Sequence, residues 1–251
     1  MKKPVDSLIS SLLIVSLFLA GACRLRAAEL PPASSQPAST ASTPANNTSP
    51  AMPATVAHYQ GRPTTNVAVT ILGTSTFHDW DMKGTSIGGF VEFPAGVNFD
   101  TNQAALPGLS NGILPATNWA TIPVRGIHSQ VSVGADIMDG LMQDAMKQAD
   151  HPAIQYKVTE LKLVQPHAAG QPFTFDAKGD LAIAGVTNSV SFPVTITPLD
   201  KTRIQISGTA KLKMTDYKVQ PPAPSIAGLG VMKCGDEVTI IFDWILLLRQ
   251  Q

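Results

Sequence analysis

The cluster Thr76-Phe77-His78-Asp79-Trp80 sets a histidine beside a carboxylate, a pairing used both for general acid–base chemistry and for holding metals. The spacing argues against either use. Neighbouring residues of a strand project to opposite faces, so His78 and Asp79 meet one substrate only across a turn or a bulge. A turn at a strand end, with Asp79 bonded to backbone and Trp80 packed, accounts for the cluster without chemistry. A metal site would have to join His78 to Asp81, or to His128 or His151 from far along the chain. The five histidines show neither HxxxH nor HExxH spacing, and no GxSxG turn or phosphate-binding glycine loop occurs. Cys234 reads as a passive thiol, because a redox role needs a depressed pKa. The expectation is therefore no catalysis, no metal and no obligatory cofactor.

What remains is apolar recognition. Leu141, Met142, Ala145, Met146 and Ala149 fall at helical spacing on one stripe, opposite Gln143, Asp144, Lys147 and Gln148. Asp139 is the expected N-cap, and Pro152 ends the helix by His151. Methionines adapt to irregular apolar ligands, so this helix is either a lid touching a ligand or a piece of ordinary core packing.

The elements that would position such a lid are strands. Val67, Val69 and Ile71 alternate in a first strand reaching about His78, and Trp80 to Phe93 forms a second, interrupted by Gly84, Gly88 and Gly89. Pro94 to Asn118 reads as a long surface loop. Ile122 to Ile127 is a short third strand carrying Pro123, and Ile154 to Val164 a fourth. In that fourth strand Ile154, Tyr156 and Val158 share a face before the phase slips to Leu161 and Leu163, which predicts a bulge near Thr159 or Glu160. Alternation is clearest in Phe173–Ile183, Val190–Ile196, Ile204–Met214 and Val238–Leu246. Eight strands with one apolar face each, one helix and short later connections predict an all-β fold. The form expected is an eight-stranded antiparallel barrel lidded by the helix, with a two-sheet sandwich as the alternative.

Small residues at mid-strand, Ala177 and Gly179 in one strand and Gly208 and Ala210 in another, predict a hollow interior, since packed cores place large side chains there. Glycine in a strand also marks bends; alanine does not. The expected cavity wall comprises Phe77, Ile154, Tyr156, Phe173, Phe175, Leu181, Ile183, Phe192, Val194, Ile206, Ala210, Leu212 and Phe242, with Leu141, Met142 and Met146 from the lid.

Lys2 and Lys3 precede an apolar run, Leu8 to Ala22, of the length of a secretory signal's central region. Residues 1–22 are thus expected to be a signal peptide, and 23–57 a flexible Pro/Ala/Ser/Thr-rich tether too poor in large apolar side chains to fold. Residues 58–251 would form the barrel domain. Export to the periplasm or beyond follows. Ala20 stands where bacterial lipoprotein sites carry leucine, so soluble export is expected, with lipidation of Cys23 and outer-membrane anchoring as the alternative. The chain's 18 basic and 18 acidic residues are spread out, giving no nucleic-acid track and no patch for an anionic membrane.

The run Met138-Asp139 leading to Ala145-Met146-Lys147, then His151-Pro152 with Ile154 and Tyr156, resembles the YceI-like family. Gly179-Asp180-Leu181, Ile183-Ala184-Gly185-Val186-Thr187, Phe192-Pro193-Val194 and Gly235-Asp236-Glu237-Val238 follow in the family's order. The resemblance spans about Asn66 to Leu248 and implies a secreted lipocalin-like barrel that binds an isoprenoid or similar amphiphile, without catalysis. The Pro94–Asn118 loop, the tether and Thr76–Trp80 depart from the family pattern. The expected partner is one lipophilic molecule (isoprenoid lipid, quinone or acyl chain), with homodimerisation left open. A filled barrel that binds proteins is the alternative.

Overall fold

The computed structural model describes residues 56–63, 68–103, 105–226 and 230–249; the expected signal peptide, Cys23, nearly all of the tether and Val67 lie outside the described residues. Alternating side chains build the best-formed strands. In β8 (Phe173–Ile183) every second residue from Phe173 onward is buried, with Asp176, Lys178 and Asp180 outside. β7 (Ala153–Leu163), β9 (Val186–Pro198), β10 (Arg203–Lys213) and β13 (Cys234–Leu248) join it in antiparallel order. β11 (Ser225–Ile226) and β12 (Gly230–Val231) form a small separate ladder just before β13.

The other walls come from strands broken in two: β1 (Val56–Gly61) and β2 (Val69–Ser75), β3 (Trp80–Gly84) and β4 (Gly88–Pro94), β5 (Thr117–Pro123) and β6 (Ile127–Ser129). One half of each enters a lower ring, β1-β4-β5-β7-β8-β9-β10-β13, which closes when Tyr59–Gly61 pair with Leu246–Leu248. The other halves, β2-β3-β6, continue the wall upward from Val238–Phe242 of β13. The fold is thus an eight-stranded antiparallel barrel. The breaks have local causes. Gly89 has φ +110°, and a Cβ there would sit 1.7 Å from the Trp119 carbonyl oxygen. Pro123, the last residue of β5, leads into a single 3₁₀ turn, Val124–Gly126.

The register of β7 against β8 slips between Val158 and Glu160, so the expected bulge falls at Thr159. Asn118 Oδ1 accepts the Val158 N–H there, taking the place of a ladder bond. Other expectations need correction. β1 already includes Val56 and Ala57, two residues ahead of the expected boundary at residue 58, where alternation is weak beside the polar tether. Helix α1 spans Ala135–Ala145 with Gly134 (φ +79°) as its N-cap, so Asp139 lies inside it, and Ala149 is exposed in the turn that follows. The Pro94–Asn118 segment is not a surface loop. Its Val97, Phe99, Leu106 and Leu114 are buried in the main core with Phe93, Phe173 and Leu163, forming a floor across the lower end. Each such side chain contributes about 1.5–3 kcal/mol of burial, and backbone bonds from Leu114 N to Leu161 O and from Leu163 N to Gly112 O, both 2.8 Å, stitch the floor to β7.

Candidate ligand-binding chambers

Above that floor the barrel is hollow. A lower chamber of about 120 Å³ lies inside the closed ring, and an upper one of about 110 Å³ lies beneath α1 and residues 214–224 and 232–234. Ile71, Ile154 and Ile240 line both and form a waist between them. Tyr156, Leu181, Phe192, Val194, Ile206, Ala210 and Phe242 face the lower chamber, whereas Leu141, Met142, Met146, Ile183 and Leu212 face the upper.

Three expected wall residues lie elsewhere. Phe77 is 46% exposed in the turn joining β2 to β3, beyond the alternating part of either strand. Phe173 and Phe175 are fully buried in the floor, where Phe173 meets Phe99 edge-on at 6.2 Å and stacks on His167 at 4.1 Å. Their alternation is right; their level in the barrel is not visible in one strand alone. The upper wall also uses Met214, which ends the Ile204–Met214 alternation, and Met232, Pro222 and Pro224, which no periodicity marks because they lie beyond the long strands.

The small residues divide. Ala177 and Ala210 border the lower chamber. The space over the two glycines is occupied by neighbouring rings: a Cβ at Gly179 would lie 2.6 Å from the Tyr156 hydroxyl, and one at Gly208 would lie 2.7 Å from Phe242 Cζ. Glycine lets these aromatics lean along the wall, and the cavity is left beside them.

Few polar groups reach the interior. The hydroxyls of Tyr156 and Tyr217 are buried without a hydrogen-bond partner. Burial raises both phenol pKa values; the Asp180 charge adds to the effect at Tyr156, while the Asn188 amide opposes it at Tyr217. The Asn188 amide itself donates to the Asp216 carbonyl at 2.9 Å. Cys234 lines the upper chamber, and burial pushes its thiol pKa up, away from reactivity. The His78 cluster is a turn: Ser75 Oγ donates to the His78 carbonyl at 2.7 Å, and Trp80 covers Gly73 while its Nε1–H donates to the Thr74 carbonyl at 3.0 Å. In place of the expected Asp79 carboxylate, the group bonded within the turn is the Asp79 carbonyl, 2.7 Å from His78 Nδ1.

Helix α1 sits over the upper chamber with no fully buried residue. Asp139 holds it to the wall: one carboxylate oxygen accepts the Ser129 N–H at 2.6 Å, and the other lies 2.7 Å from His128 Nδ1. That clamp explains why an acidic residue stands inside the helix.

The profile of the YceI-like domain matches residues 74–245. A polyisoprenoid-binding domain from Saccharophagus degradans, implicated in plant cell wall breakdown, has the same fold: it is 14% identical, with 78% of this chain and 100% of that chain covered, at a TM-score of 0.52. Burkholderia cenocepacia BcnA is 15% identical over 72% of this chain and 99% of that one, with a TM-score of 0.48. No curated protein matches. The profile covers the hairpin at Thr74, the lid, most of the lining of both chambers and all but the end of β13, and on that match the chain belongs to the YceI-like family.

Proposed function

We propose that this protein is an exported carrier that holds one linear lipophilic molecule across its two chambers, an isoprenoid lipid, a quinone or an acyl chain. The observation that carries the reading is the pair of apolar cavities meeting at Ile71, Ile154 and Ile240 inside a closed barrel. Two spaces in line suit a chain better than a compact metabolite. Among the described residues few charges and two unpartnered hydroxyls face them, so a highly charged ligand would lose its hydration without compensation. The S. degradans domain is described as polyisoprenoid-binding, which fits the same chemistry. The leader at residues 1–22 supports export, and soluble release is preferred to lipidation at Cys23. The carrier reading involves neither catalysis nor a cofactor.

The test is organic extraction of the purified full-length protein followed by mass spectrometry. A lipid at one equivalent supports carriage. An empty extract, together with failure to take up retinol, favours the filled, protein-binding barrel instead.

A further inference from the structure

The barrel wall is laced unevenly. β9 pairs with β8 from Val186 to Ile196, and β10 pairs with β13 from Arg203 to Lys213. Between β9 and β10, however, the ladder runs only from Ile204–Pro198 to Gly208–Val194 and then stops. Above that point the two strands diverge, and a polar-walled groove of about 700 Å³ opens between residues 188–192 and 210–213.

Sequence explains the fork. The next residue of β9 is Pro193, whose carbonyl oxygen would be 2.8 Å from a Cβ on Gly208, so this residue turns its hydrogen-bonding side toward β10. Proline has no N–H to offer there, and the ladder loses a donor where it would otherwise continue. Two strand edges therefore face one another unpaired, an arrangement that folded barrels ordinarily close.

The groove borders both chambers. Phe192 and Ala210 line it and also wall the lower chamber, while Leu212 and Tyr217 line it and also wall the upper. Its outer side carries Ser189, Ser191, Lys211 and Glu237. Hydroxyls and charges of both signs outside, aromatic and aliphatic side chains inside, form a gradient that an amphiphile follows tail first. Helix α1, over the upper chamber, is held to the wall by the Asp139 clamp.

We propose that the split between β9 and β10 is a lateral port through which a linear amphiphile passes into and out of the chambers. This rests on the carrier reading above. In β9 and β10, Ser191 and Lys211 point outward and would face each other had the ladder continued, so histidines there give a removable staple.

The experiment is stopped-flow uptake and release of all-trans-retinol by full-length Ser191→His/Lys211→His, with and without one equivalent of Zn²⁺, then with EDTA. The port predicts that Zn²⁺ slows both rates at least tenfold while the equilibrium Kd stays constant, that EDTA restores them, and that Zn²⁺ leaves the unmodified protein unaffected. A second variant, Ser191→Trp/Lys211→Trp, obstructs the groove without metal and must slow exchange likewise if the histidine pair takes up no Zn²⁺. Unchanged rates in the Zn²⁺-loaded protein, or in the tryptophan variant, overturn the port. Failure of the unmodified protein to take up retinol at all is a different result: it overturns the carrier reading, and the port with it.

Discussion

Tyr156 and Tyr217 carry buried hydroxyls that no protein group satisfies. An unpaired buried hydroxyl costs roughly 1–3 kcal/mol, so Tyr217→Phe and Tyr156→Phe should each stabilise the ligand-free protein by roughly 1 kcal/mol in urea titrations. If either phenol donates to a polar atom of the ligand, the same change should weaken binding about tenfold. Their titration gives a second test. The folded-state pKa of both is raised, chiefly by burial. A phenol of this kind contributes stability that is fully present below its unfolded pKa of about 10 and is lost as pH rises from there toward the folded value. The melting temperature of the unmodified protein should accordingly fall more steeply between pH 9.5 and pH 11, as roughly expected from the phenol pKa, than that of the double Phe variant. Part of this was legible beforehand. The phase that turned Ala177 and Ala210 inward is visible in one strand, but Gly179 and Gly208 depend on which ring from the next strand leans over them, and register is a property of pairs.

At the level of the element, the lid is held by its flank. Asp139→Ala would leave the Ser129 N–H without its acceptor and should cost about 1–3 kcal/mol, with hydrogen exchange quickening across Ala135–Ala145. Met142→Asp places a charge on the chamber side of a half-buried position. It should destabilise by about 1–3 kcal/mol, less than full burial would exact, and abolish retinol binding; Gln143→Asp should do neither. The apolar stripe was readable because it has a period. The start of α1 was not, since Gly134 takes the cap with no side-chain bond, and Asp139 answers to β6, a partner that only tertiary structure supplies. The floor segment was misread for a related reason: Val97, Phe99, Leu106 and Leu114 are spaced irregularly, and a plug needs apolar side chains without any repeating phase.

For the whole molecule, the hollow interior makes its own prediction. Ala210→Phe projects a ring into the lower chamber and should abolish retinol uptake while far-ultraviolet circular dichroism and the melting temperature change little. A loss of about 1–3 kcal/mol with ligand-free cavities already gone would mean the interior was full. The eight-strand count, the antiparallel order and the closed barrel were legible from alternation, whereas the strand that seals it was not, because the VAHYQG of β1 has little pattern. That seam has a kinetic consequence. Gly61 pairs with Leu246, so the ring is sealed by strands separated by almost the entire domain, and that pairing cannot form until the C-terminal strand is available. Folding that depends on so distant a contact is slow, in the range of milliseconds to seconds. A chain that folds late stays open to proteases for longer after synthesis, and one from which residues 234–248 are removed should stay open and be degraded, a loss that limited proteolysis would register.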